Sequence, residues 1–122
     1  MNVLVGIEGS DESETVLRNA IERAIEADDE LTVAIFAKPD QAQTLEAIEA
    51  AVRNELVAAD IEADIVRIDG DPASELVAMA ERGAYDQVVI GGGRDTPLGK
   101  RYLGRISEYV LLNADVTVRL ER

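Results

Sequence analysis

The chain contains no cysteine and no histidine, only three prolines in 122 residues, and just two lysines, Lys38 and Lys100. Without cysteine there are no disulfides, thiolate nucleophiles or zinc–thiolate sites. Without histidine the usual acid–base group and the commonest metal ligand are missing. No catalytic residue and no metal site is therefore assigned from the sequence. It also lacks any uncharged apolar run of about 18 residues, and the opening MNVLVGIEGS has neither the basic stretch nor the long apolar segment of a secretory signal. The expectation is a cytoplasmic protein with no membrane partner. Positive charge is scarce as well: 12 basic against 25 acidic residues give a net charge of −13 and a pI near 4.3. A surface of that sign repels phosphate backbones, which excludes a general nucleic-acid binder.

What is present is acid spread along most of the chain, a surface chemistry that resembles proteins of salt-loving (halophilic) organisms. Mutual repulsion of carboxylates keeps such a protein dissolved and loosens its fold when salt is removed. The charge is uneven. Residues 1–93 carry a net −15 and residues 94–122 a net +2, with Arg94, Lys100, Arg101 and Arg105 inside one twelve-residue window. That window reads either as local charge balance or as an anion site.

At 47% hydrophobic residues the length suits one domain, taken as 1–122. Strand-like and helix-like segments alternate throughout it. Val3, Leu4, Val5 and Ile7 form an apolar strand closed by Gly9; Ser10 is placed to cap a helix with Val16, Leu17, Ala20, Ile21, Ala24 and Ile25 at helical spacing, ended by Asp28 and Asp29. Leu31 to Ala37 reads as a second strand, and Pro39 precedes a helix striped by Leu45, Ile48, Val52, Leu56 and Val57. Ile61 and Ala63 to Ile68 give a third strand. The turn Gly70-Asp71-Pro72 opens a helix buried through Leu76, Val77, Met79 and Ala80 and closed by Gly83. A fourth strand spans Tyr85 to Ile90. The triple glycine Gly91–Gly93 and a loop holding Pro97 and Gly99 then lead to a helix with Tyr102, Leu103, Ile106, Val110 and Leu111, and Val116, Val118 and Leu120 make a fifth strand.

Continuous apolar strands joined by crossover helices imply an α/β fold: one doubly wound, Rossmann-like parallel sheet of five strands with helices on both faces. Such sheets hold ligands at the carboxyl ends of the strands where the winding reverses. With strand order 3-2-1-4-5 the crevice lies between Glu8, Gly9 and Ser10 on one side and Gly91 to Arg94 on the other.

The segment Gly91 to Ser107, GGGRDTPLGKRYLGRIS, carries the densest chemical signal. Glycines allow close approach of a ligand to backbone amides, the following helix adds positive partial charge, and arginine grips phosphate oxygens in parallel. The same glycines also serve a sharp strand exit. It is no Walker A loop, since five residues separate Gly93 from Gly99 and Arg101 follows Lys100 where a Ser or Thr is required.

The opening VLVGIEGSDES, the turn GDPASEL, the segment YDQVVIGG and the ending LLNADVTVRL together resemble the universal stress protein family over essentially the whole chain. The resemblance implies a five-stranded sheet related to adenine-nucleotide-binding folds, a homodimer formed through the last strand, and ATP held by a G-x2-G-x9-G-[ST] motif in some members. Laid on this chain the motif begins at Gly91 and closes at Gly104, with Ser107 at a later hydroxyl position. Arg94 replaces its second glycine and Arg105 its terminal hydroxyl residue, so the implied ligand is ATP, AMP or another anion with fewer phosphates. Glu8 matches an acidic position that contacts ribose or base, and Ala37 a backbone contact to adenine.

In the last strand, Val116, Val118 and Leu120 alternate with Thr117, Arg119 and Glu121. An apolar edge of this kind invites antiparallel pairing with its copy, and a two-fold axis at Leu120 would set Arg119 opposite the copy's Glu121. The functional expectation is a non-enzymatic, nucleotide- or anion-responsive regulatory dimer. A ligand-free dimeric interaction module is the alternative. A phosphoryl-transfer enzyme lacks a positioned base beyond Glu8, and a phosphoacceptor receiver built on Asp69 lacks paired acids after strand one and a lysine after strand five.

Overall fold

The structure, a computed structural model, describes residues 1–9, 11–37, 43–92, 94–95, 101–102 and 104–121, with backbone alone at 11, 94, 95, 101 and 102. In chain order the elements are β1 (Asn2–Ile7), α1 (Asp11–Ala27), β2 (Glu30–Ile35), α2 (Leu45–Ala58), β3 (Asp64–Arg67), α3 (Pro72–Arg82), β4 (Gln87–Gly91), β5 (Arg94–Asp95), β6 (Arg101–Tyr102), α4 (Arg105–Asn113) and β7 (Thr117–Glu121). Five strands form one parallel sheet in the order β3-β2-β1-β4-β7. Counting only the strands of that sheet, this is the expected 3-2-1-4-5.

Alternation along each strand divides the core between two faces. Val3, Val5, Val33, Ile35 and Val89 meet α1 and α2 through Val16, Leu17, Ala20, Ile21, Ile48, Val52 and Leu56. Leu4, Ala34, Val88 and Ile90 meet α3 and α4 through Leu76, Ala80 and Val110. Leu4, Val5, Val33, Ile35, Leu76 and Val88 are fully removed from solvent. Each such side chain contributes about 1.5–3 kcal/mol, so the two apolar layers hold the helices against the sheet.

Several local expectations change. Ile25, Val57 and Leu111, assigned to apolar stripes, are 53%, 74% and 43% exposed. Each follows a buried or partly exposed stripe residue by one position, and the 100° turn per residue swings it off the covered side; α1, about 25 Å long, also outruns strands of about 20 Å. β2 ends at Ile35 rather than Ala37, and β3 is cut to Asp64–Arg67 because that is the stretch paired with β2. The connection after β4, expected to be loop, contains the short antiparallel pair β5–β6. Gly83 does close α3, and Asp71 caps it, accepting from the Ser74 N–H. Ser10, Lys38, Pro39, Pro97, Gly99, Lys100 and Leu103 lie outside the described residues.

Candidate functional site at the carboxyl edge of the sheet

The β1–β2 ladder runs to Ile7–Ile35 and the β4–β7 ladder to Gly91–Glu121, both to the ends of their strands. The β1–β4 ladder stops at Val5–Val89, two residues short of each strand's end. The two middle strands therefore part at their carboxyl ends. This is where α1 and α2 leave one face and α3 and α4 the other, the reversal point at which open α/β sheets leave a crevice.

Glu8 and Gly9 form one wall. The Glu8 N–H donates to the Oγ of Ser13 at 3.2 Å, which ties the exit of β1 to the first turn of α1; Ser13 is buried at 7% exposure. Gly9 has φ +87°, and a Cβ there would sit 2.6 Å from Ile48 Cγ1 and 2.7 Å from the Gln43 side chain. Glycine is required on both counts. Beside this wall, the Phe36 N–H donates to the Ile7 carbonyl at 3.1 Å, bringing Ala37 next to the β1 exit, half-buried against the α1–α2 layer.

Gly91 and Gly92 form the opposite wall. The Ser107 hydroxyl donates to the Gly91 carbonyl at 2.9 Å. That bond pins the start of α4 to the end of β4 and places Ser107 beside the wall. Gly104 is the N-cap of α4, with no side-chain cap bond, and a Cβ added to it would meet nothing within 4 Å. Thr44 caps α2 and Asp71 caps α3 through side-chain oxygens. Among these three helix starts, α4 alone has an N-cap residue that makes no side-chain cap bond, which suits it to an anion.

Arg105, exposed at the first position of α4, is close enough to Asp71 to help hold that carboxyl below its usual range. The larger causes are the Ser74 hydroxyl, 2.7 Å away, and the Ser74 N–H. The starts of α3 and α4 thus adjoin. Arg94 is described only by its backbone in β5, so its side chain lies outside the described residues.

Val118 and Leu120, with Val116 just before β7, pack half-buried on the α3–α4 side, as the alternation predicts. Arg119 and Glu121 point to the α1 side, where Arg119 Nε meets Glu121 Oε1 at 2.9 Å and Arg119 Nη1 donates to Gln87 at 2.9 Å. The ion pair foreseen between copies therefore already exists within one strand. Sequence reasoning missed Asn19 and Glu121 as supports of the wall, because nothing local marks residues that meet only in the folded sheet. No group of three or more His, Cys, Asp or Glu residues able to hold a metal occurs among the described residues, and no described helix is long and apolar enough to cross a membrane.

The family model described as the universal stress protein family matches residues 1–120. A universal stress protein of Methanothermobacter thermautotrophicus (strain Delta H) is 41% identical over 54 residues, 44% of this chain and 36% of that relative's length. A solved universal stress protein in complex with cAMP superposes with a TM-score of 0.79 at 23% identity, over 100% of this chain and 96% of the other. The universal stress protein of Archaeoglobus fulgidus in complex with dAMP gives 0.68 at 20% identity, over 100% and 98%.

Proposed function

From the premise that this chain belongs to the universal stress protein family, we propose that its carboxyl-edge crevice binds an adenine nucleotide, or a related anion carrying few phosphates, and that the protein acts as a regulatory homodimer. The observation that carries the ligand reading is the parting of β1 and β4 beyond Val5 and Val89 beside an uncapped α4 start. Glu8 and the backbone at Ala37 take the base and ribose end; Gly91, Gly104 and the amides of Arg105 and Ile106 take the phosphate, with Arg105 and Arg94 supplying formal charge. The nucleotides in the two solved relatives above each carry one phosphate. Binding rather than turnover fits a chain without histidine or cysteine.

Calorimetric titration with AMP and ATP tests this reading. Saturable AMP binding is expected, tighter than ATP, and Gly104→Asp abolishes it. Aspartate is itself a good N-cap and meets open space at this position, so the variant folds while its carboxylate occupies the phosphate's place. Absence of heat at millimolar AMP would leave a ligand-free dimeric module.

The dimer reading rests on β7 as an edge strand. The Glu121 carbonyl accepts from the Gly92 N–H and so faces β4. Main-chain groups alternate along a strand, so those of Val118 and Leu120 face outward, and a two-fold axis at Leu120 makes a hydrogen-bonded pair with its copy. Val118→Pro removes an outward donor without breaking the ladder to β4, and is expected to turn dimer into folded monomer by light scattering; a dimeric variant contradicts the reading.

A further inference from the structure

One residue belongs to both regions just described. Through its main chain, Glu121 pairs with Gly91 and accepts from the Gly92 N–H at 2.6 Å, which fixes the β4 wall of the crevice. Its carboxylate, 11% exposed, is held by Arg119 Nε at 2.9 Å, Asn19 Nδ2 at 3.3 Å and Arg23 Nε at 3.4 Å. Asn19 and Arg23 lie on α1, the helix that follows the opposite crevice wall at Glu8 and Gly9. The end of the edge strand, the crevice wall and α1 therefore meet at a single side chain. The α1 face of β7 is secured there by two ion pairs to Glu121 Oε1 and one hydrogen bond, from Asn19 to Oε2, in place of the hydrocarbon layer that covers β1 and β2.

We propose that Glu121 is a positioning residue that links the two binding events, so that a nucleotide in the crevice and a second copy on β7 strengthen one another. This rests on the ligand and dimer readings given above. The sign follows from which groups each event uses. The nucleotide takes amides on the crevice side, and the second copy takes the outward groups of Val118 and Leu120. Neither consumes the Gly92–Glu121 bond, and both require β7 to be seated through its last residue. Chains in which the strand end has frayed bind neither partner well, so each partner selects the seated state for the other. By linkage the effect is reciprocal.

Sedimentation equilibrium of the full chain with and without saturating AMP tests the link, with AMP affinity measured by calorimetry well below and well above the dimer dissociation constant. The dimer is expected to tighten about tenfold with AMP, and, because each dimer holds two crevices, AMP affinity per site to rise by about the square root of that factor, roughly threefold. In Glu121→Ala the factor falls toward one, while Glu121→Gln, which keeps the length and one acceptor oxygen, retains part of it. A merely structural residue would weaken folding without moving this ratio. Should Glu121→Ala fail to fold by circular dichroism, Arg23→Gln and Asn19→Ala remove single anchors and are expected to lower the factor. AMP binding with an unchanged dimer constant overturns the link alone. Absence of AMP binding, or a monomer at every concentration, overturns the corresponding reading above and the link with it.

Discussion

At the amino edge of the sheet a groove of about 850 Å³ is bordered by Asp29, Glu30, Glu62 and Asp64, with Arg53, Leu56, Val57 and Tyr85 among its other lining residues. At the carboxyl edge the crevice is bordered by glycines, the start of α4 and Arg105. By volume the groove is large enough for a nucleotide. Charge decides otherwise. In a parallel α/β fold every crossover helix begins at the carboxyl edge and ends at the amino edge, so the carboxyl edge gathers positive partial charges and the amino edge negative ones. Here α1, α2 and α3 finish at the left-handed residues Asp28, Asp60 and Ala84, and acids follow in Asp29, Glu62 and Asp86. On the proposed reading an anion is disfavoured at the acidic groove and favoured beside the start of α4.

The largest effect is expected where both edges depend on one support. Leu4 is fully buried in the strand between them, and Leu4→Ala is expected to cost about 2–5 kcal/mol by leaving a cavity beside Leu76 and Val88, measured by urea unfolding. Gly9→Ala acts at the carboxyl edge, where a methyl group meets Ile48 in a left-handed backbone; a loss of about 1–3 kcal/mol, with weaker AMP binding, is expected. A variant as stable as the parent would mean that Gly9 and Ile48 are not held as described.

Removing salt acts mainly on the acidic regions. With a net charge of −13, the melting temperature is expected to fall by a few degrees between 1 M and 0.05 M salt. Indifference to salt would contradict self-repulsion. The smallest effect is acid titration of two exposed carboxyls. Asp71 is lowered by the Ser74 hydroxyl and N–H, and Glu49 by hydrogen bonds from Arg67 at 2.8 Å and Arg53 at 3.0 Å. A carboxyl whose pKa is lower folded than unfolded adds stability above its unfolded pKa, and that stability drains as pH falls through the folded value. The loss therefore sets in below about pH 5, as the ordinary carboxylate range is entered, and grows as pH falls further. Arg67→Gln should return Glu49 toward that range in a carboxyl NMR titration; an unmoved Glu49 would contradict the pairing.

The fold was legible because its signals are local. Val3 to Ile7, Leu31 to Ile35 and Val88 to Ile90 are apolar runs too short for helices, and the Asp71-Pro72 start and Gly83 stop of α3 are written in adjacent residues. The crevice was legible as a place, since strand order alone sets Glu8 and Gly91 on neighbouring strands. Its workings were less so. The bond from Ser107 to Gly91 joins residues 16 apart, and that from Asn19 to Glu121 joins residues 102 apart; no pattern along the chain announces either. The two-residue strands β5 and β6 are shorter than any period by which a strand can be read.

Amide chemical shifts of 15N-labelled protein titrated with AMP compare the two edges in one experiment. Shifts are predicted at Glu8, Gly9, Gly91, Gly92, Arg105 and Ile106, with Thr32, Ile61 and Tyr85 at the amino edge unmoved. Movement concentrated in those amino-edge amides, or no movement at millimolar AMP, would contradict an anion site where β1 and β4 part.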